Sequence, residues 1–244
     1  MIDRIVCARG KDVFSDDYSS AQAVQDRELL NPDADRLAVL FPQWHAGSWP
    51  SSSLIKRLQE QNWAVLNYDF HDQILEPNVG RVLQSFENIQ TEITADLETI
   101  QGQADYQSIH FIGMSLGNVA MSLVASEFPE FSSATFVTPG SKLASSMWEG
   151  ARTRAITKSL SEQGVTKEGL EADWHDLAPI KHARVFKNKT VQTLVSTRDK
   201  MIPTSYQLEM DQALVDVGSN VSTSYSRLGH AASLINFCLF SGKI

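Results

Sequence analysis

The sequence is poor in cysteine, in basic clusters and in long apolar runs, and each shortage excludes something. Only Cys7 and Cys238 occur in 244 residues, far apart and each within an apolar stretch. A disulfide framework is excluded, and two buried thiols in a reducing cytoplasm are expected. No run of lysine or arginine is present, and the net charge is −8. A phosphate backbone attracts the opposite sign, so nucleic acid is not an expected partner. No stretch approaches the roughly 18 apolar residues of a membrane span. The opening MIDRIVCARGKD lacks the apolar core of a secretory leader. Repeats and low-complexity tracts are also missing.

What remains is 42% hydrophobic and 20% charged, a balance that fits one domain, residues 1–244, with a sizeable core. Its centre is Ser108–Glu127. Ile109, Phe111 and Ile112 form a nearly continuous apolar run, as in a strand buried on both faces. Gly113-Met114-Ser115-Leu116-Gly117 follows, and then Val119, Ala120, Leu123 and Val124 recur at helical spacing. Strand, G-x-S-x-G, helix is the nucleophile elbow. The turn is tight, its glycines let strand and helix backbones pass close together, and the new helix aims its first N–H groups at the serine.

Along the chain, residues 2–8 read as a short strand and Ser19–Leu30 as a helix, with a turn at Asn31-Pro32-Asp33. Leu37–Phe41 is a buried strand, Ser51–Gln61 a helix capped by Ser51 or Ser52, and Ala64–Tyr68 a strand. Residues 70–84 read as a loop. Phe86, Ile89, Ile93, Leu97 and Ile100 mark an amphipathic helix that closes at Gly102. After the elbow come a strand at Ala134–Thr138, a polar helical insert over residues 141–189, and a strand at Val191–Ser196. A helix at Pro203–Val217, a strand at Ser222–Tyr225 and a helix from His230 to Phe240 complete the chain. Strands and helices alternate with connections long enough for parallel crossovers. The expected class is α/β, a mostly parallel sheet with helices on both faces.

Reactive groups gather at the carboxyl ends of such strands. Ser115 ends the elbow strand, Asp199 follows Val191–Ser196, and His230 follows Ser222–Tyr225. A serine hydroxyl is a weak nucleophile until a histidine takes its proton, and a carboxylate on the far imidazole nitrogen holds the useful tautomer. The chain order Ser, Asp, His is the one that accompanies this elbow. The backbone N–H of Leu116, with that of Trp44 or Gln43 after Leu37–Phe41, is expected to form an oxyanion hole. His45, Met114 and Trp148 are candidates for lining the substrate. His71-Asp72 has no further ligand at metal-site spacing, so no metal is expected.

With GMSLG, TLVSTRDKMIP, LGHAAS and APIKHARV in place, the sequence resembles the α/β-hydrolase superfamily over residues 37–240. That resemblance implies a Ser-Asp-His triad of Ser115, Asp199 and His230, working without metal or cofactor. It implies that residues 141–189 lie where the superfamily inserts a lid. Two places depart from the common pattern. Pro42-Gln43-Trp44-His45 stands where His-Gly-x-Gly is frequent, and Phe70-His71-Asp72-Gln73 where Arg-Gly-x-Gly is usual. The expected activity is hydrolysis of a small soluble acyl ester by a serine esterase. Thioesterase, amidase and acyltransferase chemistry share the constellation, and a silent ligand-binding protein on this fold is the rival from another class.

Overall fold

The computed structural model describes residues 23–44 and 51–240. Seven strands form one sheet: β1 (Val24–Leu30), β2 (Arg36–Phe41), β3 (Trp63–Phe70), β4 (Ser108–Met114), β5 (Ser133–Val137), β6 (Thr190–Ser196) and β7 (Asn220–Ser226). Their order is β1-β3-β2-β4-β5-β6-β7. Neighbours from β3 to β7 run parallel, and β1 pairs antiparallel with β3. The chain steps from β2 outward to β3 and then returns to place β4 on the other side of β2. The strand order therefore reverses between β2 and β4, where a crevice opens at the carboxyl ends.

Among the described residues eight α-helices accompany the sheet: α1 (Ser51–Glu60), α2 (Val79–Gln103), α3 (Gly117–Glu127), α4 (Leu143–Glu149), α5 (Arg154–Glu162), α6 (Lys167–Asp173), α7 (Thr204–Asp216) and α8 (His230–Phe240). Residues alternate between the two faces of each strand. Leu37, Val39 and Phe41 of β2 join Ile109 and Phe111 of β4 in a core shared with α2, α3 and α7. Ala38, Leu40, Ile112 and Met114 face the other way, against Leu54 and Leu58 of α1 and Leu234, Phe237 and Cys238 of α8. Each fully buried Leu or Phe on these faces contributes about 1.5–3 kcal/mol. Among the described residues no helix is long and apolar enough to cross a membrane.

Three expectations are corrected. Val24–Leu30 is an edge strand, not part of a helix. Its Gln, Asp, Arg and Glu favour a helix locally, but the open edge of β3 offers a backbone ladder from Leu30↔Val65 to Val24↔Phe70. Arg27 then reaches over to α2 and pairs with Asp96 at 2.8 Å. The supposed loop at 70–84 already contains the first turns of α2, because Asn78 caps that helix by accepting from Arg81 N. Gly102 is not the cap either: the helix runs through it to Gln103, and Ala104 N closes the last turn on Ile100 O. The strand read at residues 2–8, with Cys7, lies outside the described residues. Cys238 is a buried free thiol.

The insert divides into two parts. Leu143–Thr153 borders the crevice, while the 3₁₀ segment Pro179–Phe186 packs against α3 and α7. Lys167 joins Glu149 at 2.6 Å, and the Glu149 carboxylate also accepts from Tyr206, so the end of α4 is tied to α6 and α7.

His110 on β4 is buried and neutral. One ring nitrogen meets Ser133 Oγ at 2.6 Å and the other Thr135 Oγ1 at 2.9 Å. Loss of hydration lowers its pKa to about 3. In the unfolded chain a histidine titrates near about 6.5. The unfolded state therefore takes up a proton first as pH falls, so stability is full above about 6.5 and is lost progressively towards about 3. Going from about pH 7.5 to about pH 5, wild type is expected to lose about 2 kcal/mol more stability than His110→Gln, measured by urea unfolding. Equal losses in the two proteins would mean that His110 does not carry this pH dependence.

Candidate active site

Ser115 lies at the turn between β4 and α3 with φ of 52°, in the left-handed region. For a residue with a side chain this costs about 1–3 kcal/mol, and it persists only where the surroundings enforce it. Here Ser115 N donates to Val137 O at 3.0 Å. Asn118 Nδ2 donates to Ser115 O at 2.8 Å and to Val137 O at 3.0 Å, pinning the turn to β5. The two glycines have identifiable neighbours. A Cβ on Gly117 would collide with the Phe41 carbonyl oxygen at the end of β2, and one on Gly113 would sit 2.7 Å from Asn118 Oδ1.

Ser115 Oγ is 2.8 Å from His230 Nε2, and His230 Nδ1 is 2.7 Å from Asp199 Oδ2. A carboxylate only accepts, so Nδ1 carries the ring proton and Nε2 is left to accept from the serine hydroxyl. His230 opens α8, and its side chain is 6% exposed; that of Asp199 is wholly covered. Asp199 Oδ1 accepts from Met201 N and Ile202 N at 2.8 and 2.9 Å, which curls the loop after β6 around the carboxylate. Ser196 Oγ donates to Leu228 O at 2.7 Å and ties that loop to the histidine loop.

Gln207 completes the arrangement and was missed in the sequence. Buried on α7, it donates through Nε2 to Asp199 Oδ2 at 3.0 Å and to Ile202 O at 2.9 Å, while its Oε1 accepts from Ser196 N at 2.8 Å. The readable signal was a glutamine on the stripe that Met210 and Leu214 continue at helical spacing.

Ser115 and His230 open on a cavity of about 270 Å³, with Asp199 covered behind the histidine. Its walls include Leu75, Val119, Leu143, Met147, Ile202 and Leu234. Leu116, Gln43 and Trp44 border it beside Ser115. Leu116 stands where α3 begins, among N–H groups that the helix itself leaves without partners. Trp44 is held by a bond from its Nε1 to Asp72 O at 2.7 Å.

Two expected lining residues are not in these walls. Met114 projects to the opposite face of the sheet, where its Sδ is 3.7 Å from Cys238 Sγ. Strand alternation sends it there, one position before the serine. Trp148 packs against the larger core, and its neighbour Met147 borders the cavity instead, one residue being about 100° around α4. His45 lies outside the described residues.

The other histidines have other work. His71 Nδ1 accepts from Gln73 N at a 3₁₀ turn, His175 contacts the exposed Asp176, and His182 bridges Ser126 Oγ and Asp176 O. Among the described residues no group of three His, Cys, Asp or Glu is placed to hold a metal ion.

No protein-family model matches the sequence, and no curated protein matches it. Solved structures do match in fold. An esterase of Pyrococcus furiosus aligns with a TM-score of 0.63 at 14% identity, over 88% of this chain and 78% of that one. An acylaminoacyl peptidase of Pyrococcus horikoshii gives 0.63 at 14% identity, over 85% of this chain but 35% of that one. A cold-adapted esterase from an Arctic intertidal metagenomic library gives 0.56 at 13% identity, over 84% of this chain and 77% of that one. At such identities the likeness lies in the backbone plan, and on that plan this chain is a protein of the α/β-hydrolase fold.

Proposed function

We propose that this chain is a serine hydrolase that cleaves a small carboxylic ester through an acyl-enzyme. The observation that carries the reading is the continuous row from Asp199 through His230 to Ser115, ending at the mouth of an apolar cavity. His230 Nε2 takes the serine proton as Ser115 Oγ bonds to the acyl carbon. The tetrahedral oxyanion then collapses, the bond to the alcohol oxygen breaks, and that oxygen leaves with the proton from His230. Water repeats the sequence on the acyl-enzyme and releases the acid. Backbone N–H groups of Leu116 and of Gln43 or Trp44 are assigned to the oxyanion. Leu143–Gly150, in the bordering part of the 141–189 insert, is assigned to acyl-chain selection, within one domain.

The esterases among the fold neighbours support ester chemistry, and the steps as written balance with the triad and water alone. The test is a panel of 4-nitrophenyl esters and matching thioesters of rising acyl length. Turnover of the shorter esters, lost in Ser115→Ala, is expected. Thioesters turned over faster than esters at every length would move the reading to a thioesterase. No turnover of any member by folded protein would favour the silent binding protein.

A further inference from the structure

We infer that the ester cleaved at this site carries an anionic group on its departing, alcohol-side portion, and that Arg152 recognises that group. The inference rests on the ester-hydrolase reading of the same cavity. Arg152 is the one permanently charged side chain among the described residues that border the cavity, and no carboxylate borders it. The residue is exposed, so the charge stands at the mouth, whereas Val119, Leu143 and Leu234 make the interior apolar. An apolar acyl chain is therefore accommodated inside, and a charged portion of the substrate remains at the rim.

The guanidinium is held in place without being neutralised. Its central carbon lies 5.4 Å from the centre of the Trp44 indole. That indole is itself anchored to Asp72 O, and no carboxylate among the described residues pairs with Arg152. Stacking on an aromatic face leaves the edge of the guanidinium, with its forked N–H donors, open to a carboxylate or phosphate. The backbone on either side is fixed as well. Ala151 N donates to Lys200 O at 3.0 Å, and Thr153 Oγ1 donates to Gly150 O at 3.2 Å and to Met147 O.

The surroundings give this charge weight. The chain carries a net charge of −8, which disfavours anions in general. An unpaired cation at the mouth adds a local positive potential that favours an anionic ligand there. Trp44 also belongs to the loop assigned to the oxyanion hole. A substrate anion held by Arg152 would thus sit beside the residue assigned to the reacting carbonyl.

The experiment compares 4-butanoyloxybenzoate with 4-butanoyloxybenzamide, esters of equal acyl chain whose departing groups differ in charge. Wild type is expected to show a KM about tenfold lower for the benzoate, equivalent to about 1.4 kcal/mol. Arg152→Gln should remove that preference by raising the benzoate KM while leaving the benzamide KM and both kcat values near wild type. Arg152→Lys should restore part of it, and added salt should weaken it in wild type. Equal KM values in wild type, or a preference that survives Arg152→Gln, would overturn the assignment. So would an Arg152-dependent preference confined to 4-nitrophenyl hemisuccinate, whose charge is on the acyl side. If the benzamide is cleaved in a Ser115-dependent way while these signs are missing, the hydrolase reading stands and this inference falls. If neither ester is cleaved, the hydrolase reading fails for these esters. The anion site is then read from binding of 4-hydroxybenzoate by calorimetry, and equal affinity in wild type and Arg152→Gln would overturn it.

Discussion

Replacing Ser115 with alanine is expected to lower kcat on a good ester by about 10⁶-fold, with KM and unfolding midpoint little changed. The expectation follows from how little else the hydroxyl does. Its hydrogen-bond partner is His230 Nε2, whereas the elbow is held by backbone bonds to Val137 and by Asn118. Alanine keeps a Cβ in the same left-handed conformation, so the strain of the turn is unchanged. The cavity and the backbone N–H groups proposed for the oxyanion remain, and a residual acceleration of about 10³–10⁴ over water should persist. Rates measured on purified variant with a 4-nitrophenyl ester decide the point. A loss below about 10²-fold would mean that another group attacks the ester, since that is the scale of a single assisting contact.

Asp199→Asn is expected to lower kcat by about 10⁴-fold while KM holds. Asp199 receives four hydrogen bonds: two N–H groups at Oδ1, and Gln207 Nε2 and His230 Nδ1 at Oδ2. An asparagine can keep its oxygen under the Met201 and Ile202 N–H groups. Its NH2 then faces two donors, and His230 relieves the conflict by moving its proton from Nδ1 to Nε2. In that tautomer Nε2 no longer accepts from Ser115. Gln207 cannot repair this by rotating its amide, because Ser196 N would lose its acceptor. Asp176→Asn serves as the control: its side chain is 93% exposed, and near-normal turnover is expected. Near-normal turnover in Asp199→Asn would remove the acid from the mechanism.

The elements that were legible in the sequence are those whose signal is local. The elbow glycines, the apolar run before Ser115 and the stripe from Phe86 to Ile100 all announce themselves within a dozen residues. Asp199 and His230 were picked out by position, each in the loop after a strand, and the structure sets them in one row with Ser115. What escaped depends on partners distant in the chain. Val24–Leu30 becomes a strand only because β3 has a free edge, and no property of VQDRELL encodes that edge. Gln207 looks like any helical glutamine until the loop after β6 folds over it. Met114 and Met147 differ in role through strand parity and helix phase, and neither is readable until the sheet's faces are assigned.

A Ser115 activated by its own fold reacts with an electrophile that the unfolded chain leaves alone. This is tested most directly by treating native protein with a fluorophosphonate, digesting it, and locating the adduct by mass spectrometry. A single modified residue, Ser115, is expected, with labelling abolished by prior unfolding and strongly slowed in His230→Ala. An adduct on another residue, or a folded protein whose Ser115 stays unmodified, would contradict it.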